Sequence, residues 1–281
     1  MKKNYDVLII GSGIIGCCLA LELSKMNYQT LNVDFQPAAG AGSTANSCGN
    51  VRFYYSTYDG VATAYESAWY WHNWKKYIGV TDPRGTAEYH NTGSVFIKNQ
   101  ALDWPKVKAN FDKVGVRYEE WDLATLQQKI PACDFHSFYP PKRPEDPDFN
   151  QAPVGWLEGA CYTPESGYVG EPQLATQNVE YAAKAQGAEF IYDARVIEIH
   201  RDDERVRGVT LNDGAQINAS IVVNVAGPHS FKITEMAGLS NANEIKTRAL
   251  RHEVHVVPPP EGYRPEENGY HTNDADIGAY Y

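Results

Sequence analysis

Three glycines and one carboxylate near the start of the chain have the types and the spacing of a nucleotide-binding site. Gly11, Gly13 and Gly16 form the pattern G-x-G-x-x-G. The first glycine allows a tight turn, the second lets the backbone approach a pyrophosphate, and the third lets a helix pack closely on a strand. Asp34 stands 18 residues after Gly16, where a carboxylate can accept hydrogen bonds from the hydroxyls of an adenosine ribose. The pattern predicts dinucleotide binding by Gly11, Ser12, Gly13, Ile14, Ile15 and Gly16, together with Asp34 and the adjacent Phe35.

The elements that must position these residues follow from the hydrophobic pattern. The apolar run Tyr5–Ile10 predicts a strand that is buried on both faces, and Gln29–Asp34 predicts a second strand. The helix between them carries Ile15 and Met26 on one apolar stripe, and its first turn offers free N–H groups to phosphates. Because strand, glycines, helix, strand and acid occur in this order, a dinucleotide site is favoured over an ordinary tight turn. Asp34 argues against NADP, whose 2′-phosphate it would repel.

Residues 37–52 form an unusually long stretch of small residues, PAAGAGSTANSCGNVR. Such a loop can lie flat against a large planar ring and serve the edge of that ring with backbone N–H and hydroxyl groups, and the alternative is a flexible surface connector. The groups expected to face the ring are Ser43, Thr44, Ser47 and Gly49. Arg52 follows, and its planar fork matches a carboxylate, although a surface arginine or an internal salt bridge is the alternative.

The sequence resembles the FAD-dependent D-amino-acid-oxidase superfamily, in particular its sarcosine-oxidase-like branch. The matching segments are GSGIIG at 11–16, Asp34, GSTANSCGNVR at 42–52, YTPESGYVGEPQL at 162–174 and VVNVAGPHS at 222–230. They occur in the order of the family and cover nearly the whole chain. The resemblance implies FAD as the cofactor. Residues 42–52 hold no histidine for a covalent link, so we expect non-covalent binding.

The resemblance also implies roles for individual residues outside the glycine motif. Val196 would meet the adenine through its backbone, and Ala226 and Gly227 would border the FAD. Arg52 would bind the carboxylate of the substrate. Arg251 and His252 are predicted catalytic residues, with a purely structural role as the alternative, and lie in a strand pattern at 246–257 that would form the floor of the substrate cavity. His271 could face the same cavity, with a loop histidine as the alternative.

We predict an α/β fold: a Rossmann-like FAD-binding domain with an inserted α+β substrate domain built on a mostly antiparallel sheet. The buried-strand pattern returns at 217–225 after some 150 residues, so the nucleotide domain should be discontinuous. We assign residues 1–90 and 161–240 to the FAD-binding domain, and 91–160 and 241–281 to the substrate domain. The chain stops inside an apolar pattern at 276–281, from which we expect a fragment, or a fold that a second chain completes.

Composition excludes several classes of protein. The formal net charge is −10, which argues against a general binder of nucleic acid or of anionic membranes. Five irregularly spaced cysteines are typical of free thiols in a reducing compartment. The uncharged run Val7–Leu21 is too short to span a bilayer, and we expect a cytoplasmic protein. The sequence has no serine nucleophile elbow, HExxH, Walker loop or metal-ligand cluster.

Since no protein group stands out as the reactive one, the cofactor must carry the difficult chemistry. We expect an FAD-dependent amine or amino-acid oxidase or dehydrogenase that transfers a hydride from the C–N bond of a small secondary amine or amino acid to flavin N5. No lysine occurs in 252–281, where a sarcosine oxidase would place one for oxygen, so oxygen and another electron acceptor are equally open. The alternatives are a flavin-binding assembly or partner protein, with the proline-rich residues 136–155 as contact surface, and an inactive fragment.

Overall fold

The computed structural model describes residues 4–100, 103–202, 205–239, 247–251, 253–255, 257–259, 261, 263 and 269–281. The strands are β1 Asn4–Ile10, β2 Thr30–Val33, β3 Asn50–Val51, β4 Tyr89–His90, β5 Ser94–Ile97, β6 Glu119–Trp121, β7 His136–Ser137, β8 Gly155–Trp156, β9 Ala160–Thr163, β10 Gly167–Val169, β11 Glu189–Ile191, β12 Val196–Asp202, β13 Arg205–Leu211, β14 Gln216–Asn224, β15 His271–Asp274 and β16 Ala279–Tyr280. The helices are α1 Ile14–Lys25, α2 Tyr58–His72, α3 Trp74–Ile78, α4 Trp104–Val114, α5 Leu123–Lys129, α6 Pro172–Ala185 and α7 Ser230–Met236.

The chain divides into two compact units, each built from three separate segments. The first unit comprises residues 1–48, 75–88 and 170–254, and the second comprises 49–74, 89–169 and 255–281. The predicted domains differ from these units mainly in residues 49–74, which pack with the second unit because β3 pairs with β10 there. The functional division into a cofactor domain and a substrate domain stays a prediction.

The first unit is built on a sheet with the strand order β11-β2-β1-β14-β13-β12. β1 pairs in parallel with β2 and with β14, and β11 pairs in parallel with β2. β13 pairs antiparallel with β14 and with the edge strand β12. Its core includes Leu8, Leu31 and Ile217, each without exposed surface. Parallel strands of this kind are buried on both faces, which explains the continuous apolar runs in their sequences.

Helix α1 buries a different stripe from the one that the sequence predicts. Ile15 and Met26 are 68% and 65% exposed, whereas the small residues Cys17 and Ala20 are fully buried. The reason is close packing: α1 lies against α6, and Gly16 lets its first turn approach the strand end, so small side chains fit the buried face better than large ones.

A buried charge network holds residues 82–87 against α6 within the first unit. The guanidinium of Arg84 donates to the fully buried carboxylate of Asp82 at 2.8 Å and lies 3.4 Å from Glu180. The amide of Asn178 donates to the same Asp82 carboxylate at 2.9 Å and to the carbonyl of Gly85 at 2.8 Å. Burial by itself would raise the pKa of Asp82, but the hydrogen bonds from Arg84 and Asn178 outweigh it and hold that pKa below its usual range.

The second unit contains a five-stranded sheet with the order β16-β15-β5-β9-β6. Only β15 and β5 pair in parallel, and the other pairings are antiparallel. A smaller sheet in the same unit has the order β3-β10-β4, and its strand β3 ends immediately before Arg52. The predicted α/β fold, with one mostly parallel and one mostly antiparallel sheet, is therefore confirmed.

Two predicted elements differ from the structure. The strand pattern at 246–257 is wrong in the described part of that segment, where no strand forms. Leu250, Val254 and Val257 are 64%, 58% and 73% exposed, so the alternation of apolar residues meets no partner strand. The apolar pattern at 276–281 forms only the short strand β16, because residues 275–278 make a turn that leads into it.

Candidate functional site

The glycine turn after β1 has room only for glycine at two of its positions. Gly11 has a φ of +119°, and a Cβ on it would lie 2.4 Å from the carbonyl oxygen of Val225. A Cβ on Gly16 would lie 2.1 Å from the carbonyl oxygen of Gly11. Real side chains do not tolerate such contacts, so the two glycines let β1, α1 and the end of β14 meet closely.

The first turn of α1 leaves backbone donors without protein partners. Gly13 caps the helix without a side-chain hydrogen bond. Among the described residues, nothing accepts from the N–H groups of Gly13, Ile15 or Gly16, while Ile14 donates to the hydroxyl of Thr44 at 3.3 Å. Free donors at the positive end of a helix form an anion site, and the glycines leave a cradle for it. These residues fit the pyrophosphate of a dinucleotide.

Asp34 lies at the end of β2 and is fixed by two backbone donors. Its carboxylate accepts from the N–H of Ser12 at 2.6 Å and from the N–H of Gln36 at 2.9 Å. The side chain is partly exposed and therefore still has acceptor capacity for ribose hydroxyls. The hydroxyl oxygen of Ser12 is buried without a hydrogen-bond partner.

Two further predicted cofactor residues lie next to Asp34. The ring of Phe35 is 46% exposed and makes an edge contact with His229 at 6.1 Å between centroids. The carbonyl of Asp34 accepts from the N–H of Ala194, so the start of β12 with the buried Val196 follows directly beside it. The structure therefore brings the predicted ribose and adenine residues together within the first unit.

The turn after β14 joins the same region. Val225 donates to the carbonyl of Ile10 at 3.0 Å, which carries the β1–β14 pairing up to the glycine turn. Ala226 donates to the side chain of Asn224 at 3.3 Å, and Gly227 has a φ of +57°, a conformation that favours glycine. The predicted residues Ala226 and Gly227 thus lie beside Gly11.

Only part of the loop at 37–52, which we predict to face the flavin ring, makes contacts that define its position. Thr44 lies over the start of α1, as its bond to Ile14 shows. Ser43 and Ser47 are exposed, and Gly49 belongs to the second unit. Their contact with a flavin ring stays a prediction.

In the second unit, the guanidinium of Arg52 lies over two aromatic rings. Its central carbon is 4.6 Å from the ring centroid of Tyr54 and 5.2 Å from that of Tyr55. No carboxylate of the described residues lies within ion-pairing distance. A partly buried arginine without a carboxylate partner is available for an anionic ligand.

A histidine and a serine from two paired strands stand near this arginine. His271 begins β15, and its Nδ1 lies 3.1 Å from the hydroxyl of Ser94 on β5. Burial, and then the charge of Arg52, lower the pKa of His271 to about 4, so the ring is neutral at pH 7. Its Nε2 is buried without a hydrogen-bond partner.

Tyr54 adds a second unsatisfied polar group. Its hydroxyl is buried without a well-formed hydrogen bond, and the side chains of Arg52 and Asn273 are its nearest polar neighbours. Burial raises the pKa of this phenol, so it remains a protonated donor. We name Arg52, Tyr54, Ser94 and His271 the Arg52 cluster. Sequence reasoning missed Tyr54 and Ser94, and the only signal was that Tyr54 follows Arg52 by two residues.

The two other predicted catalytic residues are not brought to this cluster by any described contact. Arg251 is exposed, lies outside any strand and pairs with Glu253 at 3.2 Å. His252 lies outside the described residues. The catalytic roles of both stay predictions.

Within the described ranges, no group of histidine, cysteine, aspartate and glutamate side chains is arranged to hold a metal ion. A search of the same ranges for a long apolar helix that could cross a bilayer found none.

A parallel sheet with a glycine turn, free helix donors and a strand-end carboxylate defines a dinucleotide-binding protein. The chain matches the family described as "DAO: FAD dependent oxidoreductase" over residues 6–281 and therefore belongs to it. The cofactor of the family is FAD, and the resemblance drawn from the sequence is confirmed.

Three comparisons give the extent of this similarity. The chain is 24% identical over 245 residues to "Pyruvate dehydrogenase phosphatase regulatory subunit, mitochondrial" of Mus musculus, covering 86% of this chain and 24% of that protein. It is 26% identical over 249 residues to "Alpha-glycerophosphate oxidase" of Enterococcus casseliflavus, covering 84% and 37%. The structure of L-proline dehydrogenase from P. horikoshii has a TM-score of 0.69 at 21% identity, covering 85% of this chain and 57% of that one. The chain thus spans about a quarter to three fifths of the length of these proteins.

Proposed function

We propose that this FAD-dependent oxidoreductase acts on the C–N bond of a small secondary amine or amino acid that carries a carboxylate. The observation that carries this proposal is the Arg52 cluster: a guanidinium without a carboxylate partner beside two buried, unsatisfied polar atoms. FAD, when bound, supplies the acceptor for a hydride from the carbon next to the substrate nitrogen.

The residues of the chain divide the remaining tasks. The N–H groups of Gly13, Ile15 and Gly16 would hold the pyrophosphate, and Asp34 would hold the ribose. Arg52 would bind the substrate carboxylate with its planar fork. The hydroxyl of Tyr54 and Nε2 of His271 would supply hydrogen bonds to the same ligand.

The charge of the cluster favours a carboxylate over a phosphate ester. Arg52 is its single permanent cation among the described residues, because His271 is neutral at pH 7. A carboxylate carries one negative charge and is balanced by one guanidinium, whereas a phosphate monoester is close to a dianion. Of the two substrates that the related proteins' names indicate, proline therefore fits better than glycerophosphate.

The test is anaerobic reduction of the FAD-loaded chain. We expect proline or an N-methyl amino acid to bleach the flavin absorbance, and the corresponding amine without a carboxylate to do so far more slowly. Bleaching by glycerol 3-phosphate but by no amino acid would overturn the assignment of the substrate.

A second candidate is a regulatory or partner role, which the similarity to a regulatory subunit favours. In that case FAD binds tightly and no substrate in the panel reduces it. Both candidate functions therefore predict that FAD binds, but only the first predicts that a substrate reduces the bound flavin.

A further inference from the structure

One polar side chain stands in the middle of the buried strand β2. Asn32 has no exposed surface, and its neighbours Leu31 and Val33 belong to the apolar core. Strands that are buried on both faces are normally apolar throughout, and burying an amide is costly unless it is hydrogen-bonded. The position of this amide therefore needs a specific explanation.

The side chain of Asn32 bridges two carbonyl groups of the glycine motif. Its Nδ2 donates to the carbonyl oxygen of Gly11 at 3.2 Å and to the carbonyl oxygen of Gly16 at 3.1 Å. Its Oδ1 is buried and has no hydrogen-bond partner. The reverse orientation of the amide would place Oδ1 against two carbonyl oxygens, so the contacts fix which end donates.

These two carbonyls belong to different parts of the motif. Gly11 is in the turn that ends β1, whereas Gly16 is in the first turn of α1. A single amide therefore fastens the turn to the helix from the interior. The carbonyl of Ser12 between them is held separately, by the N–H of Gly40 at 2.9 Å and the thiol of Cys17 at 3.4 Å.

Holding the Gly11 carbonyl also fixes the N–H group on the opposite side of the same peptide. In a planar trans peptide, the N–H points away from the preceding carbonyl. With the Gly11 carbonyl held by Asn32, the N–H of Ser12 points to the carboxylate of Asp34, which accepts it at 2.6 Å. With the Ser12 carbonyl held in place, the N–H of Gly13 is left free on the other side.

We propose that Asn32 is a positioning residue for the FAD site. It holds the Gly11 and Gly16 carbonyls so that the free donors of α1 and the carboxylate of Asp34 keep the orientation that a pyrophosphate and a ribose require. This inference rests on the proposed pyrophosphate role of the glycine turn, and it is independent of the substrate.

The direct test is the affinity of the apoprotein for FAD in Asn32→Leu, which keeps a similar volume and removes the donor. Two buried hydrogen bonds correspond to a weakening of about tenfold to a hundredfold. The matched control is Asn178→Leu, which removes an equally buried amide with hydrogen bonds to Asp82 and Gly85 in the same unit. We expect the control to lower thermal stability while changing the FAD affinity by less than about threefold.

Asn32→Asp allows a second test, the pH dependence of FAD affinity, which should not change if Asn32 has only a structural role. The new carboxylate faces two carbonyl oxygens, so FAD binding should be weak at pH 8 and improve at least fivefold at pH 6 as protonation restores a donor. The titratable groups already in this region are Asp34, Cys17, Cys18, Glu180 and Lys184. The unaltered chain contains all of them, and its own affinity at each pH is the reference.

The outcomes separate two failures. If Gly16→Ala leaves FAD binding intact, the proposed pyrophosphate role of the turn fails and the inference falls with it. If Gly16→Ala weakens binding but Asn32→Leu weakens it no more than Asn178→Leu does, the role of Asn32 alone is overturned. If Asn32→Leu does not fold, a pH profile of Asn32→Asp that matches the unaltered chain overturns the proposal.

Discussion

Replacing Arg52 by methionine tests the proposed substrate contact most directly. Methionine keeps much of the apolar length of the arginine stem and can still pack on Tyr54 and Tyr55, but it removes the fork and the charge. The fold should survive this change, because none of the described carboxylates pairs with the guanidinium. The substitution should therefore weaken the interaction with the substrate without lowering the stability of the fold.

The expected loss follows from the environment of the guanidinium. A hydrogen bond to a charged group contributes about 1.5–3 kcal/mol, and truncating one partner of a buried pair costs about 2–5 kcal/mol. Arg52 is only partly buried, so screening by solvent favours the lower part of that range. A loss of about 2–3 kcal/mol corresponds to roughly 30- to 150-fold in kcat/KM. Arg52→Lys should lose less, because it keeps the charge and loses only the bidentate fork.

The assay is stopped-flow bleaching of the FAD-loaded chain under anaerobic conditions, with an amino acid and with the same amine lacking its carboxylate. The loss caused by Arg52→Met should appear with the amino acid and vanish with the carboxylate-free amine, since only the former contacts the fork. Arg117→Met is the matched control, because Arg117 is an exposed arginine of the same unit. Equal losses for both substrates, or a loss below threefold with the amino acid, would refute the assignment of Arg52.

Three further changes test other parts of the molecule. The folded pKa of His271 is about 4, below the usual 6.5, so its contribution to stability is complete above pH 6.5 and is lost as the pH falls toward 4. Between pH 7 and pH 5 this linkage amounts to about 2 kcal/mol, and His271→Asn should remove that pH dependence from thermal melts at the two pH values. Gly11→Ala strains a φ of +119° and meets the Val225 carbonyl, so FAD should be lost on gel filtration, whereas Gly42→Ala, which meets nothing within 4 Å, should retain it. Arg84→Met leaves the buried Asp82 carboxylate without its cation, and burial then raises the pKa of that carboxyl in the variant. Urea unfolding should show a loss of about 2–3 kcal/mol at pH 7, and a smaller loss at pH 4, where the unpaired carboxyl of the variant is largely protonated and no longer a buried charge. An unchanged melt, retained FAD or an unchanged urea midpoint would contradict the respective argument.

The sequence predicts the glycine turn and the elements around it well, because their signals are local. The turn, α1 and β2 occupy one continuous segment, and each glycine has a steric task that its spacing already indicates. The role of Asn32 could not be predicted in the same way, since one amide within a buried strand has no periodic pattern, and only its contacts with Gly11 and Gly16 give it a role.

The Arg52 cluster is harder to predict, because its contacts join residues that are distant in sequence. Ser94 and His271 are 177 positions apart and meet only because β5 and β15 pair in parallel. The wrong prediction of a strand at 246–257 has the opposite cause. Its local alternation is correct for a strand, but Leu250 and Val254 are exposed, and an apolar stripe without a partner surface is not sufficient to form one.

Buried polar atoms without partners occur in both proposed binding regions. Such atoms are rare in folded proteins, and each costs about 1–3 kcal/mol. Two of them, on Ser12 and Asn32, lie at the glycine turn, and two, on Tyr54 and His271, lie in the Arg52 cluster. The side chain of Asn32 is explained by the two carbonyls that its Nδ2 binds. At Ser12, Tyr54 and His271, packing alone would favour an apolar group of similar shape, which carries no such cost. The atoms without partners on Ser12, Tyr54 and His271 therefore support the two proposals made above, a dinucleotide at the glycine turn and a small anion at the Arg52 cluster.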